Sequence, residues 1–187
     1  MKKLILVLMV ASSSIVVAQQ TTTINRAFHI EVDPIAYVLK GYSVHAIYQV
    51  NKFSFDAGIF GIQPPAGFTG NKGFLEKING VGVKAHYHFS GIKGWFTGIS
   101  AGYANMNVKH KASGSSDTGK SADISGDIGY RFFFWKDQNG NPTGLYLMPW
   151  VSIGYAVYQE KINIIEKEYK QQPITFFPTV HIGYRFK

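Results

Sequence analysis

The chain of 187 residues is 45% hydrophobic, 15% aromatic and 16% charged, with a formal net charge of +8. It contains 20 glycines and no cysteine, which excludes disulfide bonds, thiolate metal ligands and a cysteine nucleophile. Abundant aromatic and β-branched residues argue against disorder, and beyond the N-terminus no uncharged apolar run is long enough for a transmembrane helix. This composition predicts one β-rich domain.

The N-terminus has the pattern of a secretory signal peptide. Lys2 and Lys3 provide a positive start, and residues 4–11 form a short apolar stretch. Residues 16–18 then offer a small-residue cleavage site. Because an exported chain rarely meets nucleic acid, we expect no nucleic-acid partner despite the positive charge. The predicted division is a signal peptide at 1–18, a short extension at 19–26 and a folded domain at 27–187.

From residue 27 onward the hydrophobic residues recur with a period of two, which is typical of β-strands. In each segment one face is apolar and almost uncharged, whereas the other face carries the charged residues. The segments cover residues 28–38, 42–50, 53–59, 80–89, 95–104, 123–134, 145–157 and 174–186. We therefore predict an all-β fold, an eight-stranded antiparallel up-and-down transmembrane β-barrel.

The predicted connections alternate in length along the chain. The short links are residues 51–52, 90–94 and 136–144. The long polar links are residues 63–77, 110–119 and 162–172. The first hairpin, at 40–41, is short and is the exception. Tight turns at one end and long loops at the other are typical of outer-membrane barrels.

The apolar face of the predicted strands distinguishes a membrane barrel from a soluble one. A soluble barrel would have to bury the aromatic rings in a lumen that holds only a modest core. The rings instead cluster beside the short turns, where they would form an interfacial girdle. Its predicted members are Phe28, Tyr48, Phe53, Tyr87, Phe89, Trp95, Phe132, Phe134, Tyr184 and Phe186.

In this pattern the chain resembles the small eight-stranded outer-membrane barrels of the outer-membrane protein A/X type, in the short form common in Bacteroidetes. The most specific part is the C-terminal run 182–186, which is similar to the signal by which such proteins engage the barrel-assembly machinery. Lys187 and His181 depart from the usual form of that signal. The resemblance implies a place in the cell outer membrane, with outer-membrane lipids and lipopolysaccharide as partners.

The inward face predicts a polar network that fills the lumen. Charges kept from water must be paired, so we expect ion pairs and hydrogen bonds among these side chains. The predicted members are Glu31, Asp33, His45, Asp56, Lys84, His86, His88, Asp123, Asp127, Arg131, His181 and Arg185. Histidines near carboxylates leave a divalent metal site as an alternative, although we expect neither a metal nor a cofactor.

Pro34, Pro149 and Pro178 fall in the first, seventh and eighth segments, which become neighbours when the barrel closes. Proline removes a backbone donor, and an unpaired backbone group is costly in lipid. The prolines therefore indicate either ordinary bulges or a possible lateral opening in this wall for an acyl chain.

No catalytic constellation appears, so we expect no enzymatic activity. The sequence favours an integral outer-membrane barrel with a filled lumen and a structural or surface-interaction role. Two alternatives remain. One is a narrow pore or lateral conduit for a small apolar ligand, and the other is a secreted soluble barrel of the lipocalin type.

Overall fold

The computed structural model of the protein describes residues 25–165 and 168–186. The predicted signal peptide and residues 19–24 of the predicted extension lie outside the described residues. The strands are β1 (Arg26–Val32), β2 (Tyr42–Val50), β3 (Phe53–Ile62), β4 (Phe74–Ser90), β5 (Lys93–His110), β6 (Ser116–Lys136), β7 (Pro142–Gln159) and β8 (Ile174–Arg185). Two short helices in the described ranges are α1 (Pro34–Val38) and α2 (Ala66–Thr69).

The eight strands close into an antiparallel up-and-down barrel. Each strand pairs with its neighbours in the chain, and β8 pairs with β1 to complete the ring. The predicted fold, an all-β eight-stranded antiparallel barrel, is confirmed. Neither helix in the described residues is long and apolar enough to cross a membrane.

The predicted first strand is too long. It ends at Val32, and the chain turns into α1. Asp33 caps this helix, because its Oδ1 accepts a hydrogen bond of 2.8 Å from the backbone N–H of Ile35. Pro34 occupies the first turn, where its missing N–H costs nothing. Ala36 is consequently buried within the barrel and does not face outward as the alternation predicted.

The connections at the two ends follow the predicted pattern with two corrections. The first connection contains α1 and is long, so the exception at 40–41 disappears. The predicted long link at 110–119 is wrong, because β5 and β6 continue further and leave only a five-residue turn. The short-turn end consists of residues 51–52, 91–92 and 137–141. The other end, which we call the mouth, consists in the described part of the chain of residues 33–41, 63–73, 111–115, 160–165 and 168–173.

The strands differ strongly in length around the barrel. β1 has 7 residues, whereas β4, β5, β6 and β7 have 17, 18, 21 and 18. A strand advances about 3.3 Å per residue, so the four long strands extend well beyond the others on the mouth side. We call this four-stranded extension the tall wall.

Exposed apolar residues alternate with buried polar residues along the strands. Ile30, Val83 and Ile128 point outward and are about half exposed. Their chain neighbours Glu31 and Asp127 point inward and are buried. The barrel is therefore apolar on its outer face and polar in its lumen.

Candidate functional site

Glu31 is the centre of the lumen network. Its Oε1 accepts a hydrogen bond of 2.5 Å from the Tyr146 hydroxyl, and its Oε2 lies 2.9 Å from Nδ1 of His181. The guanidinium of Arg131 approaches Oε1 to 3.6 Å. One fully buried carboxylate on β1 thus joins side chains from β6, β7 and β8 across the lumen.

Arg131 connects this centre to the short-turn end. Its Nη1 donates a hydrogen bond of 2.9 Å to Oε1 of Gln49, and its guanidinium lies 4.9 Å from the centre of the Tyr146 ring. Gln49 in turn donates to the carbonyls of Asn51 and Gly91, both in the short turns. The buried guanidinium is therefore held by an ion pair, a hydrogen bond and a ring face.

A second cluster lies beside the first. Lys84 Nζ donates a hydrogen bond of 2.8 Å to Oδ2 of Asp56, and His45 Nδ1 lies 2.8 Å from Oδ1 of the same carboxylate. The ring centres of His45 and His181 are 5.0 Å apart, so the second cluster contacts the Glu31 centre. The positive Lys84 is compensated within the lumen, as burial of a charge requires.

The remaining inward residues of β4 form separate pairs. His86 Nε2 lies 3.2 Å from Oδ2 of Asp127, and Oδ1 of the same carboxylate accepts a hydrogen bond of 3.2 Å from the Ser100 hydroxyl. His88 Nε2 lies 2.9 Å from Oγ of Ser54. These pairs line the side of the lumen formed by β3, β4, β5 and β6.

Three of the predicted site residues lie away from these clusters. Asp33 accepts a hydrogen bond of 2.7 Å from the Thr179 hydroxyl at the mouth side. Arg185 donates to the carbonyl of Pro142 at the short-turn end. Asp123 faces the upper lumen, where it forms no hydrogen bond or ion pair with another described residue. The predicted set therefore consists of a connected centre and isolated members.

Charged residues alone do not fill the lumen. Phe96, Tyr146, Met148 and Trp150 form a buried apolar cluster inside it, with Phe133 packed against them. These side chains are uncharged, so the predicted polar network did not include them. Their inward position on an alternating strand was the available signal. Polar and apolar side chains therefore both occupy the lower lumen.

Glycine makes room for the large lumen side chains. A Cβ atom at Gly183 would overlap the ring of Tyr146, and one at Gly58 would overlap the ring of His45. A narrow barrel can hold these rings only where the opposing inward position has no side chain. These two glycines therefore contribute to the network although they form no part of it.

On the mouth side of the network the lumen opens into a cavity of about 1500 Å³. Ala36, Phe60 and Phe177 line its sides, and Trp150 lines it next to the network. The outward-facing Val83 also lines it, so the volume includes crevices in the outer wall. Ser100, Ser121 and Ser152 line the cavity as well, so it presents both polar and apolar side chains.

A loop closes the mouth above this cavity. The described part of the loop that follows β7, residues 160–165 and 168–173, reaches the inner side of the tall wall, and we call it the strap. There Ile162, Ile164 and Tyr169 of the strap pack with Phe74 and Val108. These five side chains form a second buried apolar cluster, which no periodic pattern in the sequence indicated.

Asn71 ties the strap to the loop between β3 and β4. Its side-chain amide donates to the Lys170 carbonyl at 3.0 Å and accepts from the Lys170 N–H at 3.2 Å. Burial and the nearby Glu76 carboxylate raise the pKa of the Tyr169 hydroxyl, so it remains protonated. The strap is therefore fixed by two hydrogen bonds between the Asn71 side chain and the Lys170 backbone, as well as by apolar packing.

The residues of the predicted girdle lie on the outer face at the short-turn end. Phe53 contacts Tyr87 with ring centres 5.2 Å apart, and Phe28 contacts Phe186 at 5.9 Å. All of them are exposed except Tyr87, which is half-buried. The full predicted set there is Phe28, Tyr48, Phe53, Tyr87, Phe89, Trp95, Phe132, Phe134, Tyr184 and Phe186.

The described residues contain no group of three histidines or carboxylates arranged to hold a metal ion. The charges explain why the histidines and carboxylates of the lumen do not form one. Lys84 occupies the space beside His45 and Asp56, and Arg131 occupies the space beside Glu31. A cation at either place would be repelled by a side chain that already neutralises the carboxylate.

The expectation that three prolines lie in adjoining strands is wrong. Pro34 is the first residue of α1, outside β1. Pro149 and Pro178 lie within β7 and β8, but the ladder between these strands runs without a register shift from Gly144 to Tyr155. The wall is therefore continuous between β7 and β8.

The barrel is similar in structure to a known bacterial surface protein. The crystal structure of Neisserial surface protein A matches with a TM-score of 0.51 and 12% sequence identity, covering 86% of this chain and 94% of that one. At this identity the likeness shows a shared small-barrel fold, that of an eight-stranded outer-membrane barrel. No family model and no curated protein sequence matches the chain.

Proposed function

We propose that the protein is an integral outer-membrane barrel whose own side chains close the lumen and whose mouth acts at the cell surface. The observation that carries this proposal is the Glu31 network inside a barrel with an apolar outer face. Such an arrangement joins four strands through a buried ionic centre. We infer that it serves stability and shape.

The outer face supports membrane insertion. Ile99 is 70% exposed and Phe176 is 64% exposed, and such residues recur on every strand. A contiguous apolar surface of this extent is rare on a soluble monomer. In a bilayer the same residues contact hydrocarbon, and the girdle rings lie at the level of the lipid head groups. A secreted soluble barrel would have the opposite arrangement.

The lower lumen argues against a pore. Arg131, Tyr146 and Phe96 are fully buried and fill the space between opposite strands. An ion entering there would have to displace paired charges, which leaves buried groups without partners. We therefore infer that the protein does not conduct ions steadily.

The outer face of the tall wall offers a surface for partners. Lys77, Lys109 and Lys120 are exposed on the outer face of the tall wall, above the exposed Tyr103. At that height basic side chains can meet the phosphates of lipopolysaccharide, which is the partner we propose together with outer-membrane lipids. We also propose that β8 engages the barrel-assembly machinery, and we assign the protein no catalysis.

Cell fractionation, heat-modifiable gel mobility and planar bilayers test this function. We expect the protein in the outer-membrane fraction, with faster migration before boiling and no steady conductance. Partition into the aqueous phase after detergent extraction would favour the soluble alternative. A steady single-channel current would overturn the closed lumen and favour the narrow pore.

A further inference from the structure

One seam of the barrel lacks a complete strand ladder. β1 pairs with β8 only from His29↔Arg185 to Val32↔Ile182, whereas β7 pairs with β8 along the whole length of β8. Residues 174–181 of β8 therefore have a strand partner on one side only. Pro178 lies in this segment, in agreement with the general confinement of proline to strand edges.

Helix α1 fills the seam in place of a strand. It packs against β8 on one side and against β2 and β3 on the other. Asp33, at its start, is tied to Thr179 of β8 by one side-chain hydrogen bond of 2.7 Å. Side chains hold this part of the wall together, so it can separate without breaking a backbone ladder.

The outer surface of the seam is apolar. Phe176 and Ile174 of β8 are largely exposed, and α1 exposes Tyr37 and Val38. If the barrel spans a bilayer as proposed above, these residues contact hydrocarbon. Lipid chains are then the molecules adjacent to the seam.

The cavity of the upper lumen lies directly behind the seam. Its lining includes Ala36 and Leu39 of α1, Phe60, Met106, Trp150 and Phe177. The network closes it below and the strap closes it above. Polar side chains, among them Ser43, Ser125 and Asp123, line the cavity together with these apolar ones. A preformed cavity that combines apolar side chains with polar groups is the usual form of a small-molecule binding site.

We propose that this cavity binds one hydrocarbon chain of an amphiphile, admitted between α1 and β8. The inference rests on the proposed membrane insertion. Because the filled lower lumen blocks the far side, the chain is held in the cavity and does not pass through. The seam thus serves a binding site and not a conduit.

The three tryptophans of the chain supply a direct test. Trp95 and Trp135 are exposed on the outer face, whereas Trp150 is buried at the cavity. A Trp95→Phe/Trp135→Phe variant keeps only Trp150, and a Trp135→Phe/Trp150→Phe variant keeps only Trp95. Each is reconstituted into phosphatidylcholine vesicles with brominated or unbrominated acyl chains, and tryptophan fluorescence is compared.

We expect brominated lipid to lower Trp150 fluorescence about twofold. A bound chain is largely enclosed by the cavity wall, of which Trp150 is a part, so its bromine atoms lie close to the indole ring. Ala36→Phe, which fills the cavity at the seam, should abolish the effect, whereas Ala46→Phe on the outer face of β2 should leave it unchanged. Thr179→Val removes the hydrogen bond to Asp33 and should increase the quenching of Trp150 by brominated lipid. Heat-modifiable mobility confirms that each variant is folded.

A second probe, a brominated fatty acid added to vesicles of ordinary lipid, distinguishes a free amphiphile from a bilayer lipid as the source. Quenching of Trp150 by either probe, with the expected response to Ala36→Phe, supports the binding site. If neither probe quenches Trp150, or if both Ala36→Phe and Thr179→Val leave the quenching unchanged, the proposed binding site is wrong. Failure of brominated lipid to quench Trp95 would instead show that membrane insertion is wrong.

Discussion

The hydroxyl of Tyr146 donates a hydrogen bond to Glu31 across the lumen, between residues 115 positions apart in the chain. This contact joins β7 to β1, two strands that do not pair with each other. It therefore braces the barrel across its interior in a way that the backbone ladder cannot. The same carboxylate also holds His181 and Arg131, so Glu31 compensates several polar groups at once.

Tyr146→Phe tests this brace with the smallest change. The ring stays in place, but Glu31 loses a hydrogen-bond donor, so the free energy of unfolding should fall by about 1–3 kcal/mol. Urea unfolding of the protein in lipid vesicles, followed by tryptophan fluorescence, measures the loss. Tyr48→Phe, the same change on the outer face, is the control and should have little effect. Equal effects of the two substitutions would contradict the brace.

Glu31→Ala should destabilise the barrel more than Tyr146→Phe. It leaves the buried guanidinium of Arg131 without its carboxylate, and breaking one side of a buried ion pair costs about 3–5 kcal/mol. Glu168→Ala, in the exposed part of the strap, provides a control with the same chemistry. If both variants unfold at the same urea concentration, the carboxylate does not stabilise the lumen.

Gly183→Ala should disturb the packing of the Tyr146 ring. The added methyl group would overlap that ring, and overpacking of a filled interior costs about 1–3 kcal/mol. Gly126→Ala places the same methyl group on the outer face, where no atom lies within 4 Å. We expect lower folding yield and an earlier urea midpoint for the first variant only. A similar loss in both would point to a general effect of strand glycines.

Asn71→Ala should loosen the strap without unfolding the barrel. The substitution removes both hydrogen bonds between the Asn71 side chain and the Lys170 backbone, while the β-ladders remain intact. Limited trypsin digestion of the folded protein should then cleave faster after Lys170, with the heat-modifiable mobility retained. Asn107→Ala, an exposed position on the tall wall, is the matched control. Unchanged cleavage in Asn71→Ala would show that apolar packing alone fixes the strap.

The sequence was sufficient to assign which side chains face outward, because the strand period forces neighbours such as Ile30 and Glu31 to opposite sides. It was not sufficient to place α1. The Asp33–Pro34 pair is a recognised helix start, but the alternation of Val32, Ala36 and Val38 concealed it. The helix cap at Asp33 and Pro34 therefore determines the local structure, although the alternation of apolar residues continues past the end of β1.

The pairing of the lumen side chains could be predicted only in part. Asp56 and Lys84 face each other across the β3–β4 ladder, so this pair follows once the register is known. The contact between Glu31 and Tyr146 depends on the diameter and stagger of the closed barrel, which no short stretch of sequence contains. The strap depends in the same way on long-range packing against Phe74 and Val108.

The unequal strand lengths make the molecule directional within the plane of a membrane. A membrane protein that approaches from the side of β4–β7 meets long strands with exposed basic and aromatic side chains. One that approaches from β1 and β8 meets shorter strands with an apolar surface. One small barrel therefore presents two different lateral surfaces, and which of them a neighbouring membrane protein contacts depends on the side from which it approaches.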